Sequence, residues 1–214
     1  MAAVALGRDF EFRTVKPETC ATGVEEVDRL AGGLPRGCLT EICGPASSGR
    51  TSLMLAALAQ ATGRAEICAV VDASDAFEPW AAAAAGVALE RLLWVRCGGN
   101  AEHALKAVDL LVQGGGFGLV VMDLADTPEI SARRISMTSW FRLRRAVEHT
   151  PTILLVLEQQ PHAKTCASLL LQMRREKAAW SGAAGCSQLL RGIRVRVDRH
   201  KPAPVAAASF AARW

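Results

Sequence analysis

The stretch Gly44-Pro45-Ala46-Ser47-Ser48-Gly49-Arg50-Thr51-Ser52 constrains this chain more than any other. Before it lies an apolar run, Cys38 to Cys43, bounded by Gly37 and Gly44, which reads as a buried strand. After it, Leu53 to Ala59 is built of good helix formers. Strand, glycine-rich turn and helix are what a phosphate-binding loop requires, because the turn's N–H groups and the helix N-terminus converge on one anion. The spacing fits G-x-x-x-x-G-K-[ST] with one change, Arg50 in the lysine position. Lysine reaches along the phosphates as a slim point charge, whereas guanidinium is broad, planar and needs forked partners. Arg50 therefore either pairs with a phosphate or folds out and fills the cradle. Thr51 keeps the hydroxyl that holds Mg²⁺ when a nucleotide is bound. The plainer alternative is an ordinary βα turn that uses glycine for its dihedrals.

A chain of 214 residues suits one domain with a substantial core. Half of it is apolar, yet no run of about 18 uncharged apolar residues occurs, so no membrane span and no membrane partner are expected. Met1 to Leu6 is apolar but is interrupted by Arg8, Asp9 and Glu11, too soon for the core of a signal peptide. A cytoplasmic location is the expectation. The seven cysteines are odd in number and form no C-x-x-C pair, which points to reduced structural thiols rather than disulfides or zinc.

The net charge of +4 hides a division. Residues 1–132 carry 10 Lys/Arg against 17 Asp/Glu, while residues 133–214 carry 15 against 4. The second part is thus suited to an acidic partner, nucleic acid or protein, unless its cations merely solvate exposed faces.

Taken in order, Phe10 and Phe12 suit one side of a short strand, and Thr22 to Leu30 has the apolar spacing of a short helix. Gly32 to Gly37 is a turn cluster. Ile67 to Val71 reads as a second strand, Pro79 to about Ala85 as a helix with proline at its start, and Leu92 to Arg96 as a third strand. Asn100 caps a helix running to about Gln113, and Leu119 to Asp123 is a fourth strand. An apolar strand ending in aspartate downstream of a phosphate loop is the Walker B pattern, which places Asp123 to hold Mg²⁺. Residues 131–149 read as one helix bearing Arg133, Arg134, Arg142, Arg144 and Arg145. Thr152 to Leu157 is a fifth strand. Strands alternating with helices imply a mostly parallel sheet covered on both faces. Ser168 to Arg175 and Gly192 to Lys201 then suggest an antiparallel hairpin with one basic face, and the chain from Pro202 reads as a flexible tail with Phe210 and Trp214 as its anchors. Trp94 and Trp140 are expected in the core, although Trp140 beside Phe141 on a basic helix also suits a binding hot spot.

In this order the segments resemble the RecA recombinase core, over roughly residues 20–201: Thr22-Gly23 through Gly32 to Gly37, Gly44 to Leu53, Asp72 to Pro79, Val120 to Asp123, Leu154 to Gln159 and the final strands. Within that superfamily the chain is most similar to the ImuA group, RecA-like accessory proteins of bacterial damage-induced mutagenesis, with the division inhibitor SulA a related small member. The resemblance implies an α/β three-layer sandwich with a mostly parallel central sheet, helices on both faces and a C-terminal antiparallel hairpin. It divides the chain into an N-terminal segment (1–21), a core (22–201) and the tail (202–214).

The resemblance also implies a nucleotide site, vestigial or weak, made by Gly44, Ser47, Ser48, Gly49, Arg50, Thr51, Ser52, Asp123 and Gln159, with Thr51 and Asp123 on Mg²⁺ only if ATP binds. Departures from the family decide the reading. Ser74 stands where RecA has the glutamate that activates the hydrolytic water, and a hydroxyl is too weakly basic for that role. Arg50 replaces the lysine. Each loss is worth on the order of several kcal/mol of transition-state stabilisation, so no catalytic residue and no required cofactor is assigned. Only seven residues separate Gln159 from Ala167, too few for a recombinase DNA loop, and the segment by which RecA subunits polymerise is not recognisable. The expected function is a non-catalytic adaptor in SOS-type translesion synthesis, with an ImuB-type polymerase homologue, a DnaE-type polymerase and RecA as partners. Arg133, Arg134, Arg142, Arg144, Arg145, Arg194, Arg196 and Arg199 are its candidate contacts to partner or to weakly held, non-specific DNA. The alternatives are a working ATP-dependent DNA-binding ATPase and a SulA-like inhibitor that binds the tubulin-like FtsZ.

Overall fold

The computed structural model describes residues 17–182 and 187–213. In chain order these form β1 (Thr19–Cys20), α1 (Glu25–Ala31), β2 (Leu34–Pro35), β3 (Leu39–Cys43), α2 (Arg50–Gly63), β4 (Cys68–Asp72), α3 (Pro79–Ala84) and β5 (Leu92–Arg96). The remainder is α4 (Ala101–Gly114), β6 (Leu119–Asp123), α5 (Glu129–Ala132), α6 (Met137–Val147), β7 (Ile153–Glu158), β8 (Leu169–Ser181), β9 (Leu189–Lys201) and β10 (Ala206–Arg213). Eight strands make one sheet in the order β10-β9-β8-β3-β7-β6-β4-β5, and β1 and β2 pair separately. From β8 through β5 the neighbours are parallel, and β8, β9 and β10 pair antiparallel.

Continuous apolar runs explain the parallel part. Every residue of β3, β4 and β7 is buried, as strands covered on both faces must be. Alternate side chains serve two cores. Cys68, Val70, Val121 and Leu155 lie on the α2 side with Leu53, Met54 and Leu58, and the same core continues to Val27 of α1, which packs on β9 and β10. Ala69, Val71, Val120, Met122 and Val156 face α4 and α6 with Val108, Trp140, Leu143 and Val147. Asn100 caps α4 as its residue type suggests, its carboxamide oxygen accepting from the N–H groups of Glu102 and His103. Trp140 is fully buried, in keeping with a core role. Trp94 is half-buried, its ring 5.5 Å from that of Phe77 and beneath the Arg96 guanidinium at 5.3 Å.

Three expectations need correcting. Residues 131–149 are not one helix. α5 ends at Ala132 and α6 begins after Ser136, whose hydroxyl accepts from the Ser139 N–H as a cap, so Arg133 and Arg134 lie in the turn between. The chain beyond Pro202 does not stay a loose tail through its length: Ala206–Arg213 is an edge strand paired along β9, with Phe210 buried. The hairpin strands are longer than expected, β8 and β9 each spanning 13 residues. The strand suggested around Phe10 and Phe12 and the anchoring role of Trp214 lie outside the described residues.

Candidate nucleotide site and its surroundings

The strand order places the loop. β7 lies between β3 and β6, with Cys43 opposite Glu158 and Leu157 opposite Asp123. The C-terminal ends of three parallel strands therefore meet at one edge, where open α/β sheets bind ligands. Between β3 and α2 the backbone takes left-handed geometry at Ser47 (φ 58°) and Gly49 (φ 91°). Only glycine fits at the two ends of this turn. A Cβ on Gly44 would collide with the Met173 carbonyl oxygen, and one on Gly49 would lie 2.7 Å from Val195 Cγ2. The loop is thus clamped against β8 and β9.

The cradle is present. Ser48 is buried and its hydroxyl has no hydrogen-bond partner among the described residues, the condition of a group built to meet a ligand's oxygen. A cavity of about 480 Å³ opens over Ser47, Gly49 and Thr51, walled by Asp126, Arg175, Leu190 and Ile193. By these features the loop fits a phosphate group.

Its cation lines the same cavity but is committed to the chain's own backbone. Arg50 is 5% exposed, and its Nη1 donates to the main-chain oxygen of Glu158 at 2.6 Å. The same oxygen accepts from the Gly44 N–H at 3.2 Å, so the arginine ties both ends of the loop to the end of β7. Burial pulls its pKa below the ordinary value for arginine, against the attraction of Asp126 and Asp123.

The Mg²⁺ pair is not assembled by any direct bond. Thr51 is exposed, and Asp123 accepts from the Ala125 N–H at 2.9 Å. Burial pushes the Asp123 carboxyl up to about 6, with Asp72 and Asp126 adding to the shift. Ser74 is held by Thr127, hydroxyl to hydroxyl at 3.2 Å. Its turn is organised by buried Asp72, which accepts from the N–H groups of Ser74, Ala76 and Phe77. Gln159 spends its side-chain amide on the Ala125 carbonyl at 3.2 Å, bridging the ends of β7 and β6. Ser52 is half-buried at the first turn of α2.

The basic residues fall into two groups on different elements. On α6 and the turn before it, Arg142 pairs with Asp109 at 3.0 Å and Arg144 with Glu148 at 3.1 Å, while Arg133, Arg134 and Arg145 are exposed and make no ion pair among the described residues. On the hairpin, Arg174 stands opposite Arg196 and Lys177 opposite Arg194, so the four line one face of the sheet. Arg196 is neutralised in part by Asp198 at 2.9 Å, and Arg199 turns to the Pro204 carbonyl. Arg175, next in sequence to Arg174, must point to the opposite face, and there it joins the wall of the loop cavity. Sequence reasoning missed Arg175 and Asp126. The alternation along β8 was the available signal for the first.

A family model described as the RecA N-terminal domain matches residues 2–132, more than half of the chain. The matched part includes the loop, Ser74 and Asp123, and it stops before α6 and the hairpin.

Proposed function

We propose, from the premise that this chain belongs to the RecA N-terminal domain family, that it is a non-hydrolysing adaptor of damage-induced translesion DNA synthesis. The inward turn of Arg50 onto the Glu158 carbonyl carries this reading. A cation committed to the protein's own backbone is withdrawn from a γ-phosphate, and phosphoryl transfer depends almost wholly on such positioning. Ser74, paired with Thr127, adds a second deficit, since a hydroxyl is too weakly basic to take a proton from an attacking water. Gly44, Ser47, Ser48, Gly49 and Ser52 would still surround a phosphate, and Thr51 with Asp123 would hold Mg²⁺, whose charge would neutralise a bound triphosphate. In this reading such binding is weak and serves no turnover.

What remains useful is surface. The hairpin's face of Arg174, Lys177, Arg194 and Arg196, and the exposed Arg133, Arg134 and Arg145, suit acidic segments of an ImuB-type polymerase homologue, a DnaE-type polymerase or RecA. The same cations give weak, salt-sensitive DNA binding without sequence preference. The test is sedimentation of the purified chain with each of the three proteins, with and without ATP. Binding to one or more that needs no nucleotide is expected. Binding strictly dependent on ATP contradicts the proposal, and association with FtsZ alone replaces it with the division-inhibitor reading.

A further inference from the structure

The fold buries a second set of ionisable groups that the nucleotide site does not use. Glu41 on β3 and Glu158 on β7 are both fully buried and point to the same side of the sheet. The chain leaving β7 folds over them. Glu41 Oε1 accepts from the main-chain N–H groups of His162 and Ala163 at 2.8 and 2.6 Å. His162 Nδ1 bonds the Glu158 carboxylate, and its Nε2 meets Glu129 Oε1 of α5 at 3.1 Å. Each buried glutamate keeps one oxygen, Glu41 Oε2 and Glu158 Oε1, without a partner among the described residues. The other charged or titratable groups around the cluster are Lys201 of β9, which also bonds the Lys164 carbonyl, and Arg144 of α6, which faces Cys166.

An imidazole flanked by an ionised carboxylate on each ring nitrogen has to donate from both, and only the protonated ring has two donors; where Glu158 holds that proton instead, it donates to Nδ1 and the same bond survives. In the neutral ring one nitrogen would set its lone pair against a carboxylate oxygen. We propose that protonated His162 is a latch that holds residues 159–167 between α5 and the ends of β3 and β7, and that losing its proton to solvent releases this segment. The latch reaches the phosphate loop through Glu158, whose carboxylate holds His162 while its carbonyl holds Gly44 and Arg50. The inference does not rest on the adaptor reading.

The electrostatics agree in sign. The hydrogen bond to Glu158, opposed by burial, raises the His162 pKa above its ordinary value. Burial pushes Glu158 up to about 7 despite His162, and it raises Glu41 as well. All three bind protons more tightly in the fold than in the unfolded chain. The latch is therefore complete below the ordinary histidine pKa and is lost as pH rises through the raised one.

Amide hydrogen exchange of the full chain, read by NMR at about pH 6 and about pH 8.5 and corrected for intrinsic exchange, tests this. Protection of the His162 and Ala163 amides should fall about tenfold or more relative to Val121 of β6, a tenfold ratio being what one pK unit gives. His162→Gln should be poorly protected at both values with no such fall. Glu129 is 40% exposed, so Glu129→Gln spares the core and should lower the midpoint of the His162 ring titration. Constant protection in the native chain, a ring midpoint at or below about 6.5, or a midpoint unmoved by Glu129→Gln would overturn the latch.

Discussion

The two ends of the central sheet are made differently. In the parallel part, β3, β4, β6 and β7 are enclosed by α2 on one side and by α4 and α6 on the other, while α1 packs on β9 and β10. In the antiparallel part, β8, β9 and β10 rest Met173, Val195, Val197 and Phe210 on the first core, and they turn Arg174, Lys177 and Arg194 outward. The parallel part carries stability and the architecture of a nucleotide machine. The antiparallel part clamps the loop of that machine and offers a charged surface. Burial separates the two roles: fully burying one large apolar side chain stabilises a fold by about 1.5–3 kcal/mol, whereas an exposed arginine contributes little until a partner meets it.

The largest expected effect falls in the parallel part. Trp140→Ala, at a fully buried position on α6, should cost about 3–5 kcal/mol in chemical denaturation. Trp180→Ala, at the 58% exposed end of β8, should stay within about 0.5 kcal/mol. Equal destabilisation by the two would erase the division between the parallel and antiparallel parts.

Next is Arg50→Ala, which removes a buried charged donor from the Glu158 carbonyl and should destabilise by about 1.5–3 kcal/mol. Stability unchanged by that substitution would mean that the arginine is not held inward. Arg50→Lys sharpens the point, because the slimmer cation can leave the carbonyl for a phosphate, and calorimetry should then find ATP bound more tightly than by the native chain.

A smaller effect on folding, with a clear effect on binding, is expected on the antiparallel face. Reversing charge at Arg194 and Arg196 should leave stability within about 0.5 kcal/mol and weaken DNA binding, lowering the salt slope by about 0.9 for each phosphate no longer neutralised. Loss of folding instead of binding would make the basic face structural.

The last prediction concerns pH. Burial raises Asp123 to about 6 and Glu158 to about 7, so between their unfolded values and these the native chain holds more protons than the unfolded one. Stability from both is present at the acidic side and falls as pH rises across that window, the reverse of a salt-bridged carboxylate. Denaturation midpoints at about pH 5 and about pH 8 check it, and a rise toward pH 8 would contradict the burial of both groups.

Much of the fold was legible because the parallel strands are short unbroken apolar runs, and a strand buried on two faces has no other way to look. The strand β10 was hidden by its composition, since Ala206 to Ala212 lacks the branched and aromatic residues that mark strands, apart from Phe210. The break between α5 and α6 was hidden because charged residues run through it, with Ser136 the one weak sign of a cap. At the site, the loop and Asp123 were visible as spacing, but the direction taken by Arg50 was not. Its partner is a main-chain carbonyl 108 residues away, and carbonyls carry no mark in a sequence. His162 was overlooked although Glu158 stands four residues upstream: a lone histidine between Pro161 and Ala163 acquires meaning only when Glu41 and Glu129 arrive from distant segments.

Phosphate release from ATP and Mg²⁺ by the purified chain, with and without single-stranded DNA, tests the central claim most directly when Asp123→Ala is run alongside. If Arg50 is withdrawn and Ser74 cannot serve as a base, the native chain and the Asp123→Ala variant give the same background rate. Turnover by the native chain that Asp123→Ala abolishes would contradict the account.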